Sequence, residues 1–182
     1  MSVTRVAYTA EGWGEGELWF EGTRLVWHEL PRPRPIRADP HPGGVHSRLP
    51  LPSMVATKGA RVRDATGPDV RRLVNSFERY FAGERVDFGA VELELDDLTD
   101  FQRAVADALR AVPYGEIVAY GELARAAGHP NAQRATGTFC AHNRYPLVLP
   151  CHRVVAANGL GAYGSLGPDY KRRLLELEGV AV

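Results

Sequence analysis

The sequence predicts an α+β protein in which a small N-terminal antiparallel-sheet domain, residues 1–97, is followed by a helical domain with a helix-turn-helix, residues 98–182. Two observations carry this prediction. Short apolar runs separated by glycine turns fill residues 3–30, whereas apolar residues recur at helical spacing from residue 98 onward. At 182 residues with 45% hydrophobic content, the chain can bury the cores of two small domains.

The N-terminal domain is expected to begin as a β-meander. Its three strand-like segments are rich in β-branched and aromatic side chains and are separated by glycine-containing turns: residues 3–8, 16–20 and 23–27. An amphipathic helix is predicted over residues 68–83, with Pro68 in its first turn and Gly83 at its end. The alternating side chains of residues 90–95 predict one more short strand.

A proline-rich segment, residues 31–60, separates the meander from this helix. It holds seven of the thirteen prolines, which excludes a helix or a central strand and predicts a loop. His41 and His46 lie in it and, together with His28, could suggest a metal site. Their spacing is irregular and they have no cysteine partners, so we expect neither a metal ion nor a cofactor.

Charge and cysteine content exclude several classes of protein. Lys+Arg and Asp+Glu number 22 each, so no overall basic field indicates a nucleic-acid partner. The two cysteines, Cys140 and Cys151, form neither a disulfide framework nor a zinc quartet. No basic start followed by an apolar core and no run of membrane-spanning length is present, which predicts a cytoplasmic protein.

The second domain is predicted to contain a pair of short helices joined by a tight turn. A helix capped by Thr99 or Asp100 comes first and ends before Pro113. Residues 118–128 and 131–142 then give the helix-turn-helix pattern. In the second of these two helices a single arginine is surrounded by small residues: Ala132, Arg134, Ala135, Gly137 and Ala141. Such a helix suits close approach to a narrow nucleic-acid groove better than the reading of base edges in a wide one.

A cysteine and a histidine stand side by side in Pro150-Cys151-His152-Arg153-Val154-Val155. A thiol becomes a strong nucleophile as the thiolate, so an imidazole that can take its proton makes Cys151 a candidate for covalent chemistry. Taken alone, the pair is more often a buried cysteine beside an ordinary packed histidine.

Residues 101–179 resemble the catalytic domain of the O6-alkylguanine-DNA alkyltransferases, also called methylated-DNA–protein-cysteine methyltransferases. The resemblance covers a little under half of the chain and implies a ribonuclease H-like N-terminal domain and a winged-helix-like C-terminal domain. It rests on these residues, in this order: Phe101-Gln102-Arg103, Val112-Pro113-Tyr114-Gly115-Glu116, Tyr120, Arg134-Ala135, Gly137, Asn143, Pro146, Pro150 to Val155, Gly159-Leu160-Gly161-Ala162-Tyr163, and Lys171 with Leu174 to Gly179.

The resemblance implies DNA repair by direct reversal, in which Cys151 irreversibly takes an alkyl group from O6 of guanine and is used once. His152 would act as general base through a water molecule, and Glu178 would orient that imidazole. Tyr120 would donate a hydrogen bond or proton to the departing guanine. Asn143 would tie the two helical motifs together.

The resemblance also implies that the protein binds double-stranded DNA through the minor groove, as a monomer, and flips the damaged base out of the stack. Arg134 would fill the vacated position, with Ala132, Ala135, Gly137 and Tyr120 beside it. The guanine pocket would be lined by Pro146, Val154, Leu160, Tyr163 and Ser165. Lys171, Arg172 and Arg173 could contact phosphate, although a basic helix face is usually only solvated.

Two alternatives come from other classes of protein. A non-catalytic, alkyltransferase-like lesion-binding protein would flip the base without reacting, but those proteins replace the acceptor cysteine, whereas Cys151 is intact. A cysteine hydrolase using Cys151, His152 and Glu178 would turn over repeatedly and would need neither the helix-turn-helix nor Arg134.

Overall fold

The computed structural model describes residues 3–33 and 67–182. Most of the proline-rich segment, and with it His41 and His46, lies outside the described residues. The chain divides into two compact units, one ending at Val86 and the other running from Asp87 to Val182. The domain boundary predicted from the sequence lies further along, after residue 97.

The first unit contains the β-meander and the helix that the sequence predicts. Strands β1 (Val3–Ala10), β2 (Gly14–Glu21) and β3 (Arg24–Arg32) form an antiparallel sheet in the order β1-β2-β3. Helix α1 spans Pro68–Phe81, with the proline in its first turn, where its missing N–H group leaves no helical hydrogen bond unmade.

Aromatic side chains fill the core of this unit. The ring of Tyr8 stacks on those of Phe77 and Phe81, at centroid distances of 5.7 and 6.3 Å. His28 is buried and its Nε2 lies 2.7 Å from the hydroxyl of Tyr8. This histidine is therefore a hydrogen-bonded core residue, because burying an imidazole requires a polar partner.

The second unit is built from four helices and one short parallel strand pair. Its elements are α2 (Asp100–Arg110), β4 (Val118–Ala119), α3 (Tyr120–Ala126), α4 (Gln133–Ala141), β5 (Val154–Val155) and α5 (Gly167–Leu177). Thr99 caps α2, since its hydroxyl accepts from the N–H of Gln102 while the Gln102 side chain binds the N–H of Thr99. The helices predicted on either side of the tight turn are confirmed as α3 and α4.

The strand predicted over residues 90–95 is wrong. The described residues there form no strand beyond a single bridge residue, Leu93, and side chains from elsewhere in the second unit bind the backbone carbonyls. Arg110 donates to the carbonyl of Val91, at 3.1 Å, and Arg103 to that of Leu95, at 2.8 Å. The hydroxyl of Tyr145 donates to the carbonyl of Glu94. These side chains therefore donate to backbone carbonyls that would otherwise need another hydrogen-bond partner.

Across the described ranges, no helix is both long and apolar enough to cross a membrane. Within the same residues, no group of three or more His, Cys, Asp or Glu side chains could hold a metal ion.

Candidate active site around Cys151

Cys151 is presented by a tightly packed loop. Residues 145–150 are all buried, and Cys151 itself is 6% exposed at the start of a short 3-10 helix, Cys151–Arg153. The N–H of Cys151 donates to the carbonyl of Leu149 at 2.8 Å. Leu147 has φ 72, a left-handed conformation that disfavours side chains by about 1–2 kcal/mol, so the packing around it must hold the loop in shape.

Asn143 connects the end of α4 to the thiol. Its Nδ2 donates to Cys151 Sγ at 3.1 Å and to the carbonyl of Leu149 at 2.7 Å. Its Oδ1 accepts from the N–H of Tyr145 at 2.9 Å. One amide thereby fixes both ends of the loop and the position of the sulfur.

Burial raises the pKa of the Cys151 thiol, because a thiolate loses its solvation inside the protein. Hydrogen bonds from Asn143 and Tyr163 and the positive charge of Lys171 act in the opposite direction without cancelling it. The resting form is therefore the thiol, and nucleophilic attack by Cys151 requires a base.

His152 and Glu178 form a fully buried pair beside this cysteine. His152 Nε2 lies 2.8 Å from Glu178 Oε1, with both side chains inaccessible to solvent. Burial lowers the pKa of His152 and outweighs the opposing effect of Glu178, so the imidazole is neutral near pH 7. If Nε2 carries the proton that binds the carboxylate, Nδ1 is the nitrogen able to accept one.

Four donors surround the carboxylate of Glu178. His152 Nε2 and Arg153 Nη2 bind Oε1, while Arg153 Nε and the backbone N–H of Gly115 bind Oε2, at distances between 2.8 and 3.1 Å. Burial would raise the pKa of Glu178, but the hydrogen bonds and positive charge of His152 and Arg153 hold it far below its usual value. The group stays ionised and orients His152 without itself taking a proton.

Gly115 is required by its position in this network. It has φ 78, and a Cβ at this position would lie 3.1 Å from the carbonyl oxygen of Glu178. Any larger residue would push the turn away from Glu178 and lengthen the hydrogen bond to its carboxylate.

Sequence reasoning missed the roles of Arg153 and Lys171. Arg153 is buried and binds the carbonyl of Val112 at 2.7 Å in addition to Glu178. The expectation that Lys171 could contact phosphate is wrong, because its side chain is fully buried and its Nζ donates to the carbonyls of Val154 and Leu160, both at 2.5 Å. Burial lowers the pKa of Lys171, while the nearby Cys151 and Cys140 thiols oppose that change.

A signal for Lys171 was present in the sequence. The buried face of α5 is formed by residues spaced at i, i+3, i+4 and i+7: Lys171, Leu174, Leu175 and Glu178. Two polar residues on an otherwise apolar helical stripe indicate buried, hydrogen-bonded groups. For Arg153 the signal was its place directly after the Cys-His pair.

Tyr120, the first residue of α3, lies close to the same cluster. Burial raises its pKa to about 12, with further contributions from Cys140 and Cys151, so its hydroxyl remains protonated and can donate. Lys171 Nζ lies 5.9 Å from the centre of its ring. Side chains on Gly137 of α4 and on Gly161 would come within 3.9 and 3.6 Å of that ring, so small residues leave it room.

The remaining predicted residues fall into two groups. In α4, Arg134 and Ala135 are exposed, whereas Ala132 at its N-cap and Gly137 are half-buried. Of the predicted pocket residues, Pro146 and Val154 are buried, Leu160 and Tyr163 are half-buried, and Ser165 is exposed. The backbone carbonyls of Val154 and Leu160 both accept hydrogen bonds from Lys171 Nζ. Ser165 forms a β-bridge with Tyr163.

The family described as the DNA binding domain of 6-O-methylguanine DNA methyltransferase matches residues 100–180. The chain is 45% identical over 108 residues to a methylated-DNA–protein-cysteine methyltransferase of Methanopyrus kandleri, a match that spans 59% of this chain and 79% of that protein. A Mycobacterium bovis protein of the same name is 49% identical over 106 residues, 58% of this chain and 62% of its own length.

Two solved structures are similar over almost the whole chain. A variant of the Mycobacterium tuberculosis O6-methylguanine methyltransferase has a TM-score of 0.70 and 33% identity, covering 97% of this chain and 92% of that one. The Mycobacterium tuberculosis protein OGT in complex with DNA has a TM-score of 0.68 and 31% identity, covering 98% and 92%. The buried thiol and the His152–Glu178 pair lie within the part of the chain that the family match covers.

Proposed function

The chain belongs to the methylated-DNA–protein-cysteine methyltransferase family, and we propose that Cys151 is the residue to which it transfers an alkyl group from O6 of guanine in duplex DNA. One observation carries this assignment. A buried thiol is held by Asn143, is protonated at rest, and is followed in the chain by a neutral imidazole that a permanently ionised carboxylate orients.

In the proposed reaction His152 Nδ1 takes the thiol proton, through a water molecule, and Sγ attacks the alkyl carbon. The S–C bond forms as the C–O6 bond breaks, and the electron pair passes to the purine. The hydroxyl of Tyr120 passes its proton to that departing purine and is reprotonated, through water, with the proton that His152 took from the thiol, so guanine leaves neutral and both side chains return to their resting forms. The resulting thioether is stable, and each molecule reacts once.

The exposed surface of α4 supports the proposed route to the lesion. A guanine inside a stacked duplex must leave the stack before a buried thiol can reach it. Arg134 is exposed on α4 next to the small residue Ala135, which suits entry into a minor groove and occupation of the vacated position. We infer that α3 and α4 form the helix-turn-helix of a winged-helix-like domain, and that the first unit is ribonuclease H-like.

A monomer is sufficient for this chemistry. The acceptor, its base, the orienting carboxylate and the arginine of α4 all lie in the second unit of one chain: Cys151, His152, Glu178 and Arg134. The intact Cys151 disfavours the alternative of a non-catalytic lesion-binding protein. The buried His152–Glu178 pair, taken by itself, would also suit the other alternative, a cysteine hydrolase.

One experiment separates the three functions. The protein is incubated with duplex DNA that carries O6-methylguanine, and its peptides are analysed by mass spectrometry. We expect a stoichiometric gain of one methyl group on the peptide that contains Cys151 and no gain in Cys151→Ser. Binding without a mass gain would overturn the proposal in favour of the lesion binder, and repeated turnover of a test ester in favour of the hydrolase.

A further inference from the structure

The exposed face of α4 continues well beyond Arg134. Its exposed positions recur at helical spacing and run to the last turn: Arg134, Ala135, Thr138, Ala141 and His142. His142 is the C-cap residue of the helix. It lies eight residues after Arg134, which at 1.5 Å per residue places the two backbones about 12 Å apart along the helix axis.

The charges around this face are strongly segregated. No Asp or Glu occurs between Glu122 and Asp169, although acids and bases balance over the whole chain. Two arginines of this acid-free stretch form ion pairs with acids outside it: Arg144 with Asp97, at 2.6 Å, and Arg153 with the buried Glu178. Within α4 itself, Gln133–Ala141, Arg134 is the one arginine or lysine.

One ring nitrogen of His142 is used within the helix. Its Nδ1 lies 2.8 Å from the carbonyl oxygen of Thr138 and donates a hydrogen bond to it, so Nε2 is the nitrogen that this bond does not use. The unpaired carbonyls at a helix C-terminus favour a positive charge there. A protonated ring would present an N–H donor and a charge at the end of α4.

Of the acidic side chains on the helices packed against α4, the carboxylate of Glu122 is engaged within its own helix. Helices α2 and α3 pack on α4 and carry Asp100, Arg103, Asp107, Arg110, Glu122 and Arg125. Arg103 and Arg110 donate to carbonyls of residues 91–95, and the carboxylate of Glu122 accepts from the N–H of Ala119 at the start of its own helix.

Resting on the proposed function, we propose that His142 is a second DNA contact of α4, donating from Nε2 to a backbone phosphate at the edge of the groove that Arg134 enters. The minor groove is about 6 Å wide, so a group about 12 Å from a residue inserted at the base stack reaches the phosphates that border it. Arg134 would act at the lesion, and His142 would fix the register of the helix on the backbone.

The test measures DNA affinity in the Cys151→Ser background, so that no alkyl transfer interferes. Binding of a fluorescent duplex with one O6-methylguanine is followed by anisotropy at several salt concentrations. Two substitutions separate charge from size: His142→Gln is neutral and similar in size, and His142→Arg is cationic at every accessible pH. Because the residue is exposed, each substitution should change the free energy of unfolding by less than about 1 kcal/mol, the scale of one hydrogen bond at a helix end.

We expect His142→Gln to weaken binding about threefold to tenfold at pH 6 and to reduce the slope of log affinity against log salt by about 1, the signature of one lost phosphate contact. His142→Arg keeps a cationic donor at this position and should keep the affinity and salt slope of the parent.

The possible failures are distinguishable. If the parent does not bind the duplex at all, the proposed function fails. If the parent binds and His142→Gln has the same affinity and salt slope at pH 6, only the role of His142 is overturned. A loss of affinity with an unchanged salt slope would also overturn the phosphate contact, because the contribution of His142 would then not be electrostatic.

Discussion

Arg153 binds both carboxylate oxygens of Glu178, each at 2.9 Å, in the interior of the second unit. The planar guanidinium matches the carboxylate in two parallel hydrogen bonds, which fixes the plane of Glu178 as well as its position. The orientation of the His152 ring therefore depends on a residue next to it in the chain and on one that follows it by 26 residues.

The first prediction concerns this buried ion pair. Arg153→Met leaves Glu178 buried with an uncompensated charge, so we expect the free energy of unfolding to fall by about 3–5 kcal/mol. Urea denaturation of the two proteins measures the difference. Arg172→Met is the matched control, because Arg172 pairs with Asp169 at the surface of the same second unit and should change stability by less than about 1 kcal/mol. Equal effects of the two substitutions would show that burial of the Arg153 pair has no energetic consequence.

The second prediction concerns the pH dependence of stability. The pKa of Glu178 is lower in the folded protein than in the unfolded chain, since His152 and Arg153 favour its ionised form despite burial. Its contribution to stability is therefore present above the unfolded value, about 4.3, and is lost as pH falls towards the folded value.

Glu178→Gln removes this titration. We expect the stability difference between the wild type and Glu178→Gln to be largest at neutral pH and to shrink as pH falls below about 4.3, measured by urea unfolding from pH 7 to pH 3. A difference that stays constant over this range would contradict the depressed pKa of Glu178.

The third prediction concerns Lys171. Lys171→Met leaves the carbonyls of Val154 and Leu160 without a donor and removes a positive charge close to Cys151. Each carbonyl left unsatisfied costs about 1–3 kcal/mol, so the protein should be destabilised. The pKa of the Cys151 thiol should also rise further, because Lys171 is one of the groups that lower it.

The readout is the pH profile of Cys151 alkylation by iodoacetamide, which follows the fraction of thiolate. We expect the profile of Lys171→Met to move to higher pH, with Arg172→Met as a control on the same helix that leaves it in place. An unmoved profile in a folded Lys171→Met protein would restrict Lys171 to a structural role.

The fourth prediction concerns Arg134. Since this residue is exposed on α4 and makes no contribution to the buried network described around Cys151, Arg134→Ala should slow repair of duplex DNA far more than reaction with free O6-methylguanine base. Single-turnover rates on both substrates measure the contrast. Equal losses on the duplex and the free base would show that Arg134 does not assist extrusion of the nucleotide.

The fifth prediction concerns stability alone. Thr136 on α4 is fully buried, and within the described residues its hydroxyl has no hydrogen-bond partner. Replacing it by the isosteric valine should stabilise the protein by about 1 kcal/mol, because an unsatisfied buried polar atom is removed. Thr138→Val is the control, since the exposed Thr138 hydroxyl donates to the carbonyl of Arg134. Greater stabilisation by the control, in thermal unfolding, would contradict this explanation.

Features that depend on neighbouring residues were predictable from the sequence. Thr99 with Gln102 marks the start of α2, and the periodic apolar residues before Gly83 mark α1, because capping and helical spacing are local. The residues of the candidate site came from the resemblance to a known family. The spacing of residues in the sequence does not by itself predict that Asn143 and Glu178 lie close to Cys151 and His152.

Features that depend on distant partners were not predictable in the same way. The alternation of residues 90–95 suggests a strand, but only the fold brings Arg103, Arg110 and Tyr145 to its carbonyls. Val118 pairs with Val154 in strands of two residues each, which are too short to show an alternating pattern of apolar and polar residues in the sequence. The sequence places Lys171 on a basic helix face that is solvated or contacts phosphate, because the two carbonyls that accept from its buried Nζ are distant in the sequence.

The hydrogen bonds to Glu178 also make the candidate site depend on the end of α5. Cys151, His152 and Arg153 lie in one short 3-10 turn, whereas the carboxylate that orients the His152 ring comes from the C-cap of α5, 26 residues after His152. Fraying of this last helical turn would release Glu178 from the N–H of Gly115 and from Arg153, and the imidazole would lose its fixed orientation. Local opening at one helix end, without global unfolding, is therefore enough to disrupt the proposed base.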